Sequence, residues 1–310
     1  MIEAYRDGGK EIFLRTEMMM NSTDHSLSKH PSWLIRKSPD ENSIRKMERM
    51  LKQAGLSTVC QGAHCPNLGE CFNRGTATFM ILGKTCSRTC AFCAVDKGVP
   101  ELVDVLEPDR VAKAVSDLGL RYAVVTSVTR DDLPGGGSGH FAETIGKIKA
   151  LCPETEVEVL VPDFRGSNMA IKTVMDARPD MFNHNVETVP RLYSSVRPQA
   201  EYRRSLDVLE SASLCGGRVK SGLMLGMGEE ALEVSRVLED LFACGCRYLT
   251  IGQYLAPSAK HFPVSRYVHP EEFLQWKKRA YNMGFTGVMA GPLVRSSYMA
   301  DNICMKRSIR

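Results

Sequence analysis

The chain has 310 residues, of which 43% are hydrophobic, and its formal net charge is +4. This length suits one large α/β domain with small extensions, and so small a charge does not favour a nucleic acid as a partner. No apolar run reaches the roughly 18 residues of a membrane span. Five acidic residues among the first 30 argue against a transit peptide. We therefore expect a cytoplasmic protein without a membrane or nucleic-acid partner.

The amino-terminal part of the chain contains one clear helical pattern. Residues 1–30 lack sustained periodicity, so we expect a flexible extension there. A helix is predicted from Ser43 to Ala54, because apolar residues recur at helical spacing and Gly55 follows as a stop signal. Three cysteines follow this helix directly, in the pattern Cys60-x4-Cys65-x5-Cys71.

From Thr76 onward, β-rich runs alternate with helical patterns. The predicted strands are Thr78 to Leu82, Tyr122 to Ser127, Val157 to Val161, Met181 to Val186, Val219 to Leu225 and Tyr248 to Gln253, with a short run near Gly287 to Ala290. The predicted helices lie near Asp109 to Leu118, Phe141 to Leu151, Ala170 to Ala177, Tyr202 to Cys215, Ala231 to Ala243 and Pro270 to Met283. Six successive β-then-α units indicate parallel strands with right-handed crossovers, as in a partial (β/α)6 TIM-like barrel or a doubly wound sheet.

In either fold the ligand site lies at the carboxyl ends of the strands, and those segments are polar or rich in glycine. A second cysteine pattern, Cys86-x3-Cys90-x2-Cys93, follows the first strand. Asn185 and Glu187 lie two residues apart at the end of the fourth strand, so they should share one face. His184 should then point away from them as a packed, hydrogen-bonded histidine.

Each cysteine triplet offers three thiolates, which can chelate an iron-sulfur cluster and leave one iron without a cysteine. Structural zinc prefers closed four-ligand sites built from paired knuckles, and a disulfide scaffold suits short secreted chains. A ferredoxin-like carrier would use four cysteines per cluster in a shorter chain. The other cysteines are interpreted as buried apolar thiols: Cys152, Cys215, Cys244, Cys246 and Cys304.

The segment from Cys86 to Cys93, with Phe92 before the last cysteine, resembles the cluster motif of the radical S-adenosylmethionine (SAM) superfamily. The resemblance implies that the three thiolates hold a 4Fe-4S cluster and that SAM chelates the fourth iron. Reduction of such a cluster cleaves SAM and yields a 5'-deoxyadenosyl radical.

The segment from Cys60 to Cys71, together with Arg295-Ser296-Ser297-Tyr298, is similar to the lipoyl synthase family. This implies the insertion of two sulfur atoms at C6 and C8 of an octanoyl chain on a carrier domain. The resemblance also implies that a second, auxiliary 4Fe-4S cluster supplies the sulfur. The family's pattern favours Ser297 as its fourth, catalytically released ligand, because a hard oxygen donor is easily displaced. Spacing alone does not separate Ser297 from Ser296, and two surface serines are the alternative.

The resemblance also suggests where SAM lies. Asn185 and Glu187 would face its ribose or methionine, and Glu229 belongs to a segment, Gly222 to Glu229, that would back the adenine. Plain packing of a glycine-containing strand end is the alternative for that segment. Four arginines are interpreted as a solvated face, with carrier docking as the alternative: Arg191, Arg197, Arg203 and Arg204.

The expected organisation is a flexible extension (1–30), an auxiliary-cluster region (31–75), a barrel core (76–290) and a tail with the serine motif (291–310). The implied partners are an octanoylated lipoyl carrier domain, namely a 2-oxoacid dehydrogenase E2 subunit or glycine cleavage H protein, an electron donor such as ferredoxin or flavodoxin, and an iron-sulfur cluster carrier. One rival is a radical SAM enzyme whose second cluster serves electron transfer or another thiolation. The other is an iron-sulfur or zinc protein with a structural or sensing role.

Overall fold

The computed structural model describes residues 31–34, 41–62, 65, 67–73 and 78–304. The predicted extension over residues 1–30 lies outside the described residues. The helices are α1 (Glu41–Gln53), α2 (Val59–Gly62), α3 (Leu68–Asn73), α4 (Glu107–Asp117), α5 (Ser138–Leu151), α6 (Asn168–Asp176), α7 (Tyr193–Val196), α8 (Tyr202–Leu214), α9 (Ala231–Ala243), α10 (Pro270–Met283) and α11 (Ala300–Cys304). The strands are β1 (Ser57–Thr58), β2 (Thr78–Ile81), β3 (Thr85–Cys86), β4 (Asp96–Lys97), β5 (Tyr122–Ser127), β6 (Glu156–Leu160), β7 (Met181–Asn183), β8 (Val219–Leu225), β9 (Tyr248–Gln253) and β10 (Gly287–Gly291).

The main sheet has the order β1-β2-β5-β6-β7-β8-β9-β10, and all of its strands after β1 run parallel. β1 pairs antiparallel with β2 at one edge. The sheet is curled, as one apolar cluster shows. Tyr122 of β5 and Tyr248 of β9 both belong to this cluster, together with Ala300 of α11, although three strands lie between β5 and β9 in the sheet. The predicted α/β partial barrel is confirmed, and the short seventh run is a full parallel strand.

Helices α4 to α10 lie between successive strands of the main sheet, with α7 and α8 both between β7 and β8, and contribute apolar residues to the core. In α5, Phe141, Ile145 and Ile148 recur at helical spacing and are fully buried. Burying such a side chain contributes about 1.5–3 kcal/mol. None of the described helices is both long and apolar enough to cross a membrane.

A buried polar cluster occupies the barrel interior near the amino ends of the strands. Lys220 Nζ lies 2.8 Å from Glu158 Oε1, and Tyr122 and Asn183 donate to the same carboxylate at 2.6 and 2.8 Å. Buried charges are tolerated when they are paired and hydrogen-bonded in this way. These side chains fill the amino-terminal side of the interior, so ligand space remains towards the carboxyl ends.

The strand predictions fit best where a strand is buried along nearly its whole length, and the limits of β5, β8 and β9 match. The predicted fourth strand, by contrast, ends at Asn183 rather than Val186. The reason is that the carbonyl oxygen of Asn185 accepts from Arg197 at 2.9 Å instead of extending the ladder, and Glu187 has a φ of 65°. Helices α2, α3, α7 and α11 were not predicted, because four to six residues are too few to show a helical period.

Candidate active site

The loop that carries the second cysteine triplet follows β2 and is fixed by other strand-end loops. Ala91 N donates to Val196 O at 2.8 Å, and Phe262 N donates to Ala91 O at 2.9 Å. The imidazole Nε2 of His261 lies 3.2 Å from the carbonyl oxygen of Cys93. The loop is therefore held from both sides at the carboxyl ends of the parallel strands, as the sequence predicted.

Arg88, between the first two cysteines of this loop, forms a buried ion network. Its guanidinium donates to Asp131 at 2.7 Å and to Asp163 at 2.6 Å. Burial alone would raise the pKa of Asp163, but the hydrogen bonds and charge of Arg88 outweigh it and hold that pKa well below its usual range. Because Asp131 follows β5 and Asp163 follows β6, Arg88 anchors the cysteine loop to two strand ends.

A cavity of about 440 Å³ opens at these strand ends. It is called the larger cavity below. Of the predicted site residues, its lining contains Cys60, Cys65, Cys86, Cys90, Cys93, Asn185, Glu187 and Ser297. The described structure therefore brings both cysteine regions to one cavity, although only the second triplet follows a barrel strand.

Asn185 and Glu187 face the larger cavity as neighbours, although the strand ends before them. Asn185 Nδ2 lies 3.1 Å from Glu187 Oε1 and 2.5 Å from Ser296 Oγ. A Cβ atom on Gly222 would lie 2.6 Å from Asn185 Oδ1 and 2.8 Å from Ser296 Oγ, so only glycine leaves room for this arrangement. Burial raises the pKa of Glu187, while the charge of Arg197 opposes that shift.

Arg197 was predicted to lie on a solvated face, and that prediction is wrong. Its side chain is buried, lines the larger cavity and donates from Nη1 to Asn185 O at 2.9 Å and Val186 O at 3.2 Å. Arg191 and Arg203 do form exposed ion pairs, with Glu233 and Asp207. Sequence alone did not separate the buried arginine from its exposed neighbours.

The prediction that His184 is a packed, hydrogen-bonded histidine is confirmed. Its Nδ1 donates to Val161 O at 2.9 Å, which leaves Nε2 to accept from Ser205 Oγ at 3.1 Å. Burial, helped by the charge of Arg197, lowers the pKa of His184 to about 4, so the ring is neutral at physiological pH.

Glu229 is not brought to the larger cavity with the other predicted residues. Its two carboxylate oxygens accept from the backbone N–H groups of Gly226 and Met227 at 2.7 and 2.9 Å. Gly226 and Gly228 have φ angles near 100°, so the chain turns sharply here. The observed contacts of Glu229 therefore stabilise the turn after β8.

The first cysteine triplet lines a second cavity of about 230 Å³. This smaller cavity contains Cys60, Cys65 and Cys71 from the amino-terminal region and Ser297 from the carboxyl-terminal tail. Cys60, Cys65, Arg295 and Ser297 also line the larger cavity, so they form the wall between the two. Burial, followed by the charge of Cys65, raises the pKa of Cys60 to about 11. Such thiols bind a soft metal by giving up their protons.

The thiols that line the two cavities suit an iron-sulfur cluster better than a single metal ion. Among the described residues, no three His, Cys, Asp or Glu side chains are placed to hold one ion. A single zinc ion needs its donors within about 2.3 Å of one point, whereas a cluster is held through separate irons and spaces its thiolates further apart. Each cysteine triplet therefore offers donors that suit such a cluster.

Comparisons with known proteins show which superfamily the chain belongs to. The family model described as the Radical SAM superfamily matches residues 80–241. Two solved structures are similar in fold: methylornithine synthase (PylB), with a TM-score of 0.53 and 13% identity over 66% of this chain and 62% of that one, and the FeFe-hydrogenase maturase HydG, with a TM-score of 0.54 and 15% identity over 81% and 57%. The chain is a radical SAM enzyme.

Relatives with similar sequences identify the family within this superfamily. A lipoyl synthase from Caldicellulosiruptor saccharolyticus is 53% identical and covers 88% of this chain and 97% of the relative. One from Caldanaerobacter subterraneus subsp. tengcongensis is 55% identical over 87% and 95%. The chain belongs to the lipoyl synthase family, whose members are radical SAM sulfurtransferases. Its family implies a 4Fe-4S cluster and SAM as cofactors.

Proposed function

We propose that this protein inserts two sulfur atoms, at C6 and C8, into an octanoyl group bound to a carrier domain, and so produces the lipoyl cofactor. The observation that carries this proposal is the wall shared by the two cavities. Cys60, Cys65 and Ser297 face the space that also contains Cys86, Cys90 and Cys93. An octanoyl chain bound in the larger cavity would therefore lie close to residues of both cysteine triplets.

In this proposal Cys86, Cys90 and Cys93 hold the cluster that binds SAM. When bound, the reduced cluster and SAM supply a radical that can abstract hydrogen from an unactivated carbon. The backbone N–H groups of Thr129 and Arg88 point at Cys86 Sγ, at 3.3 and 3.4 Å, and would stabilise its thiolate. Asn185 and Glu187 lie where they could hold the polar parts of SAM.

Apolar side chains supply the surface that a saturated acyl chain needs. Leu34, Val59 and Met80 line the larger cavity near Cys60, and Val128 and Met224 line it from the strand ends. Hydrocarbon is favoured against such a lining because both surfaces leave water. Arg197 and Glu187 lie in the same cavity, so it combines an apolar region with charged groups suited to an amino acid derivative.

The geometry supports Ser297 over Ser296 as the auxiliary ligand. Ser297 lines the smaller cavity together with Cys60, Cys65 and Cys71. Ser296 lines only the larger cavity, where its hydroxyl accepts from Asn185. Auxiliary ligation by Cys60, Cys65, Cys71 and Ser297 would leave one iron on a hard oxygen donor, which is easier to displace than a thiolate.

The proposed organisation keeps an auxiliary region over residues 31–75, a radical SAM core over 76–290 and a tail from 291. The proposed partners are an octanoylated E2 subunit or H protein, a ferredoxin or flavodoxin, and a cluster carrier. We place the reaction in the cytoplasm, where a reducing environment leaves thiols available to iron.

The test is product analysis on an octanoylated carrier domain with anaerobically purified enzyme, SAM and a reductant. A variant with alanine at residues 60, 65 and 71 should still form 5'-deoxyadenosine but no lipoyl product, because it keeps the SAM-binding triplet and loses the sulfur source. Cys215 is exposed, so its interpretation as a buried thiol was wrong, and it lies outside both cavities. Cys215→Ala is therefore the matched control and should yield both products. Lipoyl product from the triple variant, with free sulfide as the only sulfur source, would rule out the sacrificial cluster.

A further inference from the structure

Two hydrogen bonds connect the segment between Cys65 and Cys71 to the carboxyl-terminal tail. The side-chain amide of Asn67 donates to Leu293 O at 2.6 Å. The hydroxyl of Tyr298 lies 3.0 and 3.1 Å from the two carboxylate oxygens of Glu70. These contacts join parts of the chain more than 220 residues apart.

The two contacts lie on either side of Ser297 in the sequence. Leu293 is four residues before Ser297, and Tyr298 is the residue after it. Asn67 immediately precedes α3 and Glu70 lies in its first turn, so the two residues are about one helical turn apart. The tail is therefore held at two points, and the stretch that carries Ser297 spans the gap between them.

Burial makes the contact at Asn67 hard for water to replace. Only 1% of Asn67 is exposed, and Asn67, Glu70 and Tyr298 all line the smaller cavity with the three cysteines. A buried amide that loses its acceptor is left without the hydrogen bond that water would otherwise supply.

We propose that Asn67 and Glu70 form a two-point clamp on the tail, which positions Ser297 at the auxiliary cysteines. This rests on the proposed role of Ser297 as an iron ligand. A single oxygen donor binds iron weakly, but a tether converts its rebinding into an intramolecular step with a high effective concentration. Ser297 can then leave the iron and return while Leu293 and Tyr298 stay in place. Asn67, Glu70 and Tyr298 are positioning residues, since they act through Ser297.

The test is the rate at which a chelator removes iron from the anaerobically reconstituted protein, with the SAM-binding cluster as an internal reference. Tyr298→Phe removes one hydroxyl, and Asn67→Ala removes the buried amide. Each should speed the loss of auxiliary iron about tenfold, the effect of one net hydrogen bond, without changing the other cluster. Tyr202→Phe is the matched control, because Tyr202 makes the same kind of bond to Asp240, at 2.8 Å, outside both cavities.

A second variant separates positioning from a general loss of structure. A thiolate binds iron firmly without help, so Ser297→Cys in the Tyr298→Phe background should restore slow iron release. Hydrogen exchange of the iron-free protein should also be faster over residues 293–298 in Tyr298→Phe than in the parent. Faster iron release that Ser297→Cys does not reverse would overturn the clamp.

The outcomes also separate the clamp from the ligand assignment. If Ser297→Ala speeds iron release but neither Tyr298→Phe nor Asn67→Ala does, the clamp is wrong and the ligand assignment stands. If Ser297→Ala itself leaves iron release unchanged, the assignment of Ser297 as a ligand is wrong, and the clamp proposal fails with it.

Discussion

Replacing Arg88 with methionine should destabilise the protein and loosen the cysteine loop. Methionine keeps most of the side-chain length but removes the charge and every N–H donor. Arg88 is 4% exposed and Asp163 is fully buried, and two N–H groups of Arg88 bond that carboxylate, at 2.6 and 3.0 Å. The variant would leave a buried carboxylate without its main counter-charge.

Removing one partner of a buried ion pair costs about 3–5 kcal/mol, because the remaining charge stays desolvated. A whole domain is stable by only about 5–15 kcal/mol, so the loss should be easy to measure. The double variant Arg88→Met, Asp163→Leu should recover part of the lost free energy of unfolding, because the buried charges at both positions are then removed. Arg203→Met, which breaks an exposed pair with Asp207, should shift the unfolding transition far less than Arg88→Met.

The effect of Arg88→Met should depend on pH in a defined direction. The pKa of Asp163 is lowered by Arg88, so this contribution to stability is present above the unfolded-state pKa of about 4 and is lost as the pH falls below it. Without Arg88, burial would raise the pKa of Asp163 instead. The stability gap between the parent and the variant should therefore be largest near neutral pH and shrink towards pH 3.

The assay is urea unfolding of the iron-free proteins, followed by circular dichroism, because bound clusters would break two-state behaviour. The Arg88→Met transition should move to lower urea, while the iron bound after reconstitution falls at the SAM-binding triplet. A loss below 1 kcal/mol at neutral pH, or a gap that grows as the pH falls, would refute the role given to Arg88.

The two cysteine triplets should hold separate clusters, so alanine at Cys86, Cys90 and Cys93 should leave about half the iron and abolish 5'-deoxyadenosine formation, as measured by iron assay and chromatography. Retained SAM cleavage would contradict that assignment. Ser297→Ala should keep SAM binding but suppress lipoyl formation, and Ser297→Cys should retain the auxiliary cluster yet turn over poorly, because a thiolate holds iron too firmly. If both Ser297 variants gave near-normal lipoyl yield and Ser296→Ala were inactive, the ligand would be Ser296 instead of Ser297.

The sequence predicted the architecture because its signals are local. Alternation of buried strands with amphipathic helices indicates a parallel α/β fold, which both a partial barrel and a doubly wound sheet satisfy. The limits of β8, β9, α9 and α10 match the prediction. The spacing of the cysteines likewise pointed to iron-sulfur chemistry, since cluster ligands are provided by short loops.

Local sequence patterns did not predict the surroundings of individual polar residues. Arg191, Arg197 and Arg203 lie six residues apart in sequence, yet only Arg197 is buried, because it alone reaches the backbone carbonyls of the segment after β7. Glu229 follows a glycine-containing strand end, but the turn at Gly226 directs two backbone N–H groups to its carboxylate.

The serine motif shows most clearly what the sequence predicts and what only the tertiary structure decides. Sequence identified Arg295 to Tyr298 as a motif, and only the folded chain places Ser296 against Asn185 and Ser297 in the wall of the smaller cavity. Periodicity determines which face of an element is buried, because that depends on neighbours within a few residues. Which groups meet across a cavity depends on contacts between distant parts of the chain, such as the bond from Asn67 to Leu293, and these form only when the barrel and its tail pack together.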